Sequence, residues 1–422
     1  MLNQLRSVRR TLKLSRTLLA EPLYRSSYFV ILTSVTSAAI SFFFWLAAAR
    51  LSTEYEVGIA TSLFSAMSLL ILFSRFGFEQ SVVRYFPETD KGRVLGTAVW
   101  ISTFGIVCLG IVLVLGANLF SADFTILKRY EFASIFLASL AAGSITNIIG
   151  IAFLASRRPQ YYFAQSLVTD VRVLLLFPFV GYGAIGIFGS IGVSLALASI
   201  VSLLLVIRMG MRLFKIDAGF LRESLRFSAG NFVIGLLVAA PGYLLPILLL
   251  NQVGPSGTAK YFVAYAVASL LFFVPSAFSL SLFVEGSHGR SIKENTTRVI
   301  KITAYLLIPA IVLILLTGDR ILQLFGDTYT DASDVLRILA VSSVFVGVVS
   351  IFYSVKRIQK DIRVLIYLSA MVFVVVMGLS LVLVPVYGIV GAAYAWLAGY
   401  GLSAFTILLL AWRENWFMSS SS

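Results

Sequence analysis

The chain has 422 residues, of which 59% are hydrophobic and only 12% are charged, and its formal net charge is +14. Soluble domains carry about 25% charged residues, so this chain has too few polar side chains for a soluble protein, and its 34 Phe and 18 Tyr exclude a disordered chain. A single cysteine, Cys108, and a single histidine, His288, cannot build a Cys/His metal cluster or an internal disulfide. The composition therefore predicts an all-α integral membrane protein.

Apolar stretches long enough to cross a bilayer recur along the chain. A helix that spans the hydrocarbon core needs about 20 such residues. Eight charge-free stretches qualify directly: residues 26–49, 57–74, 94–122, 132–156, 187–207, 261–284, 302–318 and 338–355. Residues 161–181 form another span, residues 227–259 hold one span and its exit loop, and residues 364–412 hold two spans. We therefore predict twelve transmembrane helices.

The basic residues are distributed unevenly between the two sides of these spans. If the N-terminus lies inside, 26 of the 33 Lys and Arg residues fall in inside segments and 6 in outside loops. Lys and Arg accumulate in cytoplasmic loops, so both termini are predicted to be cytoplasmic in the plasma membrane. This asymmetry explains most of the net charge without nucleic acid. Residues 1–25 are interpreted either as a basic amphipathic helix on the inner leaflet or as an unstructured basic tail.

The sequence also repeats after about 205 residues. The motif YGAIG at residues 182–186 precedes the sixth span, and YGIVG at residues 387–391 precedes the twelfth. Because each copy has six spans, both copies share one orientation, which predicts two pseudo-symmetric six-helix lobes. The predicted domains are the N-terminal segment 1–25, an N-lobe 26–207, a cytoplasmic linker 208–226, a C-lobe 227–412 and a cytoplasmic tail 413–422.

Three segments near the first hairpin resemble those of known exporters, namely residues 48–58, 75–80 and 84–88. With them, nearly the whole chain is similar to the polysaccharide exporters of the multidrug/oligosaccharidyl-lipid/polysaccharide exporter (MOP) superfamily, which includes the MATE transporters. The resemblance implies a flippase that moves a polyprenyl-(pyro)phosphate-linked oligosaccharide from the inner to the outer leaflet by alternating access. Lipid II flippases of this superfamily carry basic residues on their early helices. Here the first helix has no charge before Arg50, which argues against lipid II as the substrate.

Asp170 and Arg172 are the two charged residues that fall near the middle of a predicted span. Each costs about 2.5–3.5 kcal/mol there on insertion scales. Two positions apart on a regular helix, they point to different sides and are not expected to pair well with each other. We predict that Arg172 contacts the carrier phosphate and that Asp170 binds the coupling proton or Na⁺. The alternative is a purely structural ion pair between helices.

Three further residues are candidates for substrate binding. Arg75 and Arg84 lie at the cytoplasmic mouth of the second span, where they suit capture of a diphosphate; membrane anchoring explains them equally well. Asn147 in the fourth span is a candidate hydrogen-bond partner of the buried charges, as is Gln165 in the fifth. A generic hydrogen bond between helices is the alternative for both amides.

The remaining predictions concern the cavity and the class of protein. We expect a wet, cationic chamber between the lobes. A drug antiporter of the same superfamily would instead have an acidic or aromatic cavity. A glycan polymerase or ligase would need an essential carboxylate or histidine in a long outside loop, and the predicted loops are short. The sequence thus predicts no enzyme, no cofactor and no metal site, and a monomer whose partners are membrane lipids and a lipid-linked glycan.

Overall fold

The computed structural model describes residues 22–86, 90–211, 213, 216–287, 292–359 and 361–413. Apart from residues 22–25, the predicted N-terminal segment lies outside the described residues, and so does the predicted tail after Arg413. Helices make up nearly all of the part that is described, and no strand occurs in it. The prediction of an all-α protein is therefore confirmed.

Fourteen α-helices form the described chain. They are α1 (Pro22–Leu51), α2 (Glu54–Ser74), α3 (Phe78–Tyr85), α4 (Lys91–Leu115), α5 (Ala117–Phe120), α6 (Tyr130–Ala155), α7 (Pro159–Asp170), α8 (Arg172–Phe179), α9 (Ala184–Arg208), α10 (Ala218–Ser287), α11 (Ile292–Gln323), α12 (Ser333–Ile358), α13 (Ile362–Tyr387) and α14 (Ile389–Arg413). Short 3₁₀ helices connect some of them, at Asp123–Lys128, Val180–Tyr182 and Asp327–Ala332. In the predicted division of the chain, helices α1–α9 correspond to the first lobe and α10–α14 to the second.

Twelve membrane crossings follow from these helices. Among the residues that the structure describes, eleven segments are long and apolar enough to cross a membrane. One of them, Ala229–Leu282 in α10, has 54 residues and would extend about 80 Å at 1.5 Å per residue, more than twice a bilayer core. The backbone leaves helical geometry at Gly254, where φ is 75° and ψ is 179°. This break divides α10 into two crossings, so the predicted twelve spans are confirmed.

The break in α10 replaces the predicted exit loop. Residues on both sides of Gly254 are helical, so the two crossings meet at a single residue. A positive φ suits glycine because it lacks a Cβ atom. The next residue, Pro255, has the fixed φ that starts a helix well and needs no hydrogen-bond acceptor for its nitrogen. The pair Gly254–Pro255 therefore encodes a sharp reversal between two helices.

The two lobes repeat each other in backbone detail. Gly183 precedes α9 with φ 65° and ψ −140°, and Gly388 precedes α14 with φ 59° and ψ −139°. The two glycines are those of the repeated YG motif. The same positive-φ turn therefore starts the last helix of each lobe, as expected for a duplicated six-span unit.

Helices α2 and α10 form the principal contact between the lobes, more extensive than any other helix pair. Helix α2 begins with a capping box in which the Thr53 hydroxyl accepts a hydrogen bond from the Glu56 amide and the Glu56 carboxylate accepts one from the Thr53 amide. Such a box satisfies amides that the first helical turn would leave free. It fixes the start of α2 beside the break in α10.

Candidate functional site

Two membrane faces can be distinguished from the helix order. With twelve crossings, α1 begins and α14 ends on the same face, which we name the terminal face; we name the opposite one the distal face. Loops between α1 and α2, and between α11 and α12, lie at the distal face. Functional features can be located relative to these two faces.

A cavity of about 570 Å³ lies between the two lobes. Helices α1 and α2 of the first lobe line it together with α10, α12, α13 and α14 of the second. Eleven of its 25 lining residues are aromatic, five are serines and none is charged. Its lining extends to Tyr353, near the terminal-face end of α12. The chamber that we expected therefore exists, but the expectation of a cationic lining is wrong.

Direct packing closes the cavity at the distal face. Gly58 at the start of α2 lies so close to the break in α10 that a Cβ atom added to it would stand 1.9 Å from the Pro255 carbonyl oxygen. About two helical turns further along α10, the rings of Trp45 and Phe262 meet edge-on with centroids 4.7 Å apart. Both contacts join the first lobe to the second. The cavity is therefore covered on its distal side.

Charged groups also connect the two lobes, on the distal side of this packing. Lys260 Nζ lies 2.6 Å from Asp331 Oδ2 and 3.7 Å from Glu54 Oε2, so one ammonium group joins α10, the Asp327–Ala332 turn and α2. The Arg50 guanidinium donates to the carbonyl oxygens of Gln323 and Leu324 at the end of α11, at 2.8 and 2.5 Å. A cation is favourable at a helix C-terminus. We name these contacts the distal latch.

Replacing Lys260 by glutamine is expected to weaken the distal latch modestly. Partly exposed ion pairs contribute roughly 0.2–1 kcal/mol, so the equilibrium between closed and open distal faces should shift about 1.4- to 5-fold toward open. The shift is measured with Ser65→Cys, a position that lines the cavity, in a protein in which Cys108 is replaced by serine. An impermeant maleimide added at the distal face then labels the open state. Lys128→Gln, which removes an exposed distal cation outside the latch, should leave labelling unchanged. Equal labelling of Lys260→Gln and the parent would contradict the latch.

Asp170 and Arg172 lie on either side of a helix break. Helix α7 ends at Asp170 and α8 begins at Arg172, with Val171 between them. The Val171 amide donates to the Val168 oxygen, three residues back, as in a 3₁₀ turn, and the Val171 oxygen accepts from both Leu174 and Leu175. In such a turn, residues two apart are about 120° apart around the axis, whereas a regular helix separates them by about 160°.

This turn brings the two charges together. Arg172 Nη2 lies 3.4 Å from Asp170 Oδ1, so the expectation that they cannot pair is wrong. Both also contact α1. The Ser37 hydroxyl donates to Asp170 Oδ2 at 2.7 Å, and Arg172 Nη2 donates to the Ser41 hydroxyl at 2.6 Å. The Arg172 guanidinium also lies 5.5 Å from the centre of the Phe44 ring.

The Asp170–Arg172 pair is buried behind the cavity wall. Asp170 is 6% exposed and Arg172 is 9% exposed, and neither lines the cavity. Ser41 does line it, so a single hydroxyl separates the Arg172 guanidinium from the cavity. Arg172 Nε is buried and has no hydrogen-bond partner among the described residues. The pair therefore couples α7 and α8 to α1.

The other predicted residues lie elsewhere. Arg75 pairs with Glu79 at 2.5 Å near the terminal face. Arg84 is exposed and lies over the Tyr85 ring. Asn147 is half-buried on α6. Gln165 donates to the Thr146 carbonyl oxygen at 2.7 Å, which is the generic hydrogen bond between helices. Asp170 and Arg172 are therefore in contact with each other, and none of the predicted site residues lines the cavity.

The aromatic wall of the cavity was not predicted from the sequence. Trp396 and Tyr400 on α14 line it, together with Tyr265 and Phe272 on α10. Their rings form one contact series, with Trp396 stacked on Phe272 at 6.1 Å and 15°. A signal was present, since Trp396 and Tyr400 are four residues apart and so share one helix face. Aromatic residues at helical spacing, however, occur equally in cores and lipid-facing surfaces.

The sequence matches a known family. The family model described as polysaccharide biosynthesis protein matches residues 23–251, which is more than half of the chain. The sequence has no significant match among curated proteins. The matched segment covers α1 from its second residue, α2 to α9, and the first crossing of α10 except its last residues.

Solved transporter structures share the fold at 15% sequence identity. The lipid II flippase MurJ, in an inward closed conformation, aligns with a TM-score of 0.78 over 91% of this chain and 87% of its own. An inward-facing multidrug resistance MATE family transporter of the MOP superfamily gives 0.73 over 92% and 96%. A MOP superfamily transporter from Pyrococcus furiosus gives 0.65 over 96% and 98%. The two-lobe MOP fold implied by the sequence resemblance is confirmed.

Proposed function

We propose that this chain, which belongs to the polysaccharide biosynthesis protein family, is a transporter. It moves a polyprenyl-(pyro)phosphate-linked oligosaccharide from the inner to the outer leaflet of the cell membrane by alternating access. The observation that carries this proposal is the cavity between the lobes, closed on its distal side and lined by aromatic rings and hydroxyls. Aromatic rings with a few polar groups are typical of sites for polar organic ligands.

The proposal assigns the terminal face to the cytoplasm. Most of the Lys and Arg residues fall on that face in the predicted topology, as expected of cytoplasmic loops. With this orientation, the structure is closed toward the outside. The glycan enters from the cytoplasm, and its prenyl tail stays in lipid beside the protein. The distal latch then breaks as the lobes rock, and the glycan leaves outward.

The carrier phosphates are proposed to remain near the terminal face during loading. Arg75 and Arg84 are proposed to form charge-assisted hydrogen bonds with the phosphates at that face, whereas the cavity lining has no charge. An inside-negative potential favours outward movement of an anion by about 2.3 kcal/mol per charge per 100 mV. The potential therefore assists export of the diphosphate even without a coupled ion.

Asp170 and Arg172 are proposed to act in coupling. Both side chains are bound to serine hydroxyls of α1, and α1 lines the cavity. Movement of α1 therefore exposes the pair. In that state Asp170 takes up the coupling proton or Na⁺ and Arg172 becomes available to a carrier phosphate, with Asn147 as a further polar contact. The lobe boundaries, the monomeric state and the plasma-membrane location stay predictions.

Depletion of the protein tests the proposal directly. We expect a lipid-linked oligosaccharide to accumulate on the inner leaflet, because its synthesis continues while its export stops. The lipid fraction is extracted and the head group identified by mass spectrometry, with its leaflet assigned by accessibility to an impermeant oxidant. Restoring the protein should clear the intermediate. Normal levels of every lipid-linked glycan after depletion would rule the flippase out.

A second candidate function has one observation in its favour. An aromatic, uncharged cavity is what we expected of a small-molecule antiporter rather than of a flippase with a cationic chamber. The two functions separate experimentally. Overproduction of an antiporter raises the inhibitory concentration of lipophilic cations, whereas overproduction of a glycan flippase leaves it unchanged.

A further inference from the structure

We infer that the second-lobe wall of the cavity is a subsite for an uncharged pyranose ring and excludes acidic sugars. This inference rests on the proposed function, since it specifies the chemistry of the glycan that the cavity accepts. Three observations support it: the arrangement of the aromatic rings, the unused hydrogen-bonding groups beside them, and the absence of charge from the residues that line the cavity.

The aromatic rings form a contact cluster around Trp396, and each ring of this cluster contributes to the cavity lining. Phe272 stacks on the indole with centroids 6.1 Å apart and an interplanar angle of 15°, Tyr400 lies 5.2 Å away at 31°, and Tyr265 meets it edge-on at 5.4 Å. The face of an aromatic ring is electron-rich. The C–H groups on one side of a pyranose carry small positive charges, so a sugar ring packs well on such a face.

Neutral hydrogen-bonding groups lie beside this aromatic cluster. The Trp396 Nε1–H is buried and has no acceptor among the described residues. Ser269 and Ser276, which also line the cavity, donate their protons to the carbonyl oxygens of Ala266 and Phe272. Their oxygens therefore keep lone pairs for other donors. A sugar hydroxyl both donates and accepts, so one ring can satisfy the indole and a serine together.

The described residues of the lining supply no cation that could pair with a carboxylate. None of the 25 lining residues is charged. The guanidinium of Arg172 lies behind the lining residue Ser41 and is paired with Asp170. A carboxylate that loses its hydration in such a cavity is strongly disfavoured unless it is paired. A uronic acid at this position should therefore bind much more weakly than the corresponding hexose.

Binding of two matched probes to the full-length purified protein tests the inference. One probe is a polyprenyl diphosphate that carries a galactose–glucose disaccharide, and in the other the terminal glucose is replaced by glucuronic acid. We expect the neutral probe to bind at least about tenfold more tightly at neutral pH. Lowering the pH until the glucuronic acid is protonated should narrow this difference.

Variants of α14 locate the subsite. Trp396→Ala should reduce affinity for the neutral probe about tenfold or more, and Trp396→Phe, which keeps a ring but lacks the N–H group, should lie between it and the parent. Trp412→Ala is the matched control, because Trp412 is exposed at the end of the same helix. Equal affinity of the parent for both probes, or unchanged binding by a folded Trp396→Ala, would overturn the inference while leaving the flippase proposal intact. Binding of neither probe would overturn both.

Discussion

Replacing Arg172 by alanine is expected to cost the folded protein about 3–5 kcal/mol, because it leaves Asp170 as a buried charge without its partner. The two side chains are 3.4 Å apart and nearly inaccessible to solvent, and Ser41 loses its donor as well. The loss should appear as a large fall in membrane abundance and in the thermal unfolding midpoint in detergent. Arg208→Ala removes an exposed arginine at the end of α9 and should change neither quantity.

A neutral double variant separates stability from transport. Asp170→Asn with Arg172→Gln removes both charges and keeps amides that can hydrogen-bond the serines of α1, so most of the lost stability should return. If the double variant is stable and abundant but exports no glycan, the charges act in coupling as proposed. If it exports glycan at the parental rate, Asp170 and Arg172 are structural and have no place in the transport mechanism. A double variant as unstable as Arg172→Ala would contradict the stabilising role of the pair.

Replacing Gly58 by alanine is expected to open the distal face strongly. The added Cβ atom would stand 1.9 Å from the Pro255 carbonyl oxygen, so α2 and the break in α10 cannot keep their present separation. Overpacking of this kind costs about 1–3 kcal/mol, which shifts the balance of closed and open states roughly 5- to 150-fold. Alanine favours helix by up to about 1 kcal/mol over glycine, so any loss of the closed state comes from the contact.

The cysteine at Ser65 measures this shift. Distal labelling should rise far more in Gly58→Ala than in Lys260→Gln, since backbone packing holds the lobes more firmly than a partly exposed ion pair. Gly235→Ala is the matched control, because it lies in α10 with open space around its Cβ position. A Gly58→Ala protein that labels like the parent would show that α10 withdraws from α2 without cost, and that this contact does not close the distal face.

For Asp170 and Arg172, the sequence predicts that each residue is important but does not predict their contact. Their charge and their depth in a span identify them as important from sequence, because intramembrane charge is rare and costly. Their pairing depends on the 3₁₀ turn at Val171, which no proline or glycine marks. A local interruption of one residue in an otherwise apolar span has no signature in hydropathy. The pairing could therefore be found only from the positions of the backbone atoms.

Trp396 and Tyr400 illustrate the same limit at the cavity. In a soluble protein the apolar face of a helix indicates the core. In a membrane protein lipid tails are as apolar as protein side chains, so residues facing lipid, packed between helices or lining a cavity have the same composition. The cavity wall consequently could not be distinguished from the outer surface, and the expectation of a cationic chamber came from the presumed anionic substrate rather than from the residues.

The amino-acid sequence by itself determined that this protein crosses the membrane twelve times in two repeated lobes, that its positive charge is unevenly distributed, and that it resembles MOP exporters. These properties depend on the lengths of the apolar stretches and on the order of residues, both of which are already defined in the unfolded chain. The tertiary structure alone decided which face of each helix meets the cavity, that the cavity is aromatic and uncharged, and that Gly58 closes it against Pro255. Those features arise where residues distant in sequence meet, and the direction of a helix face in lipid follows from packing rather than from hydropathy.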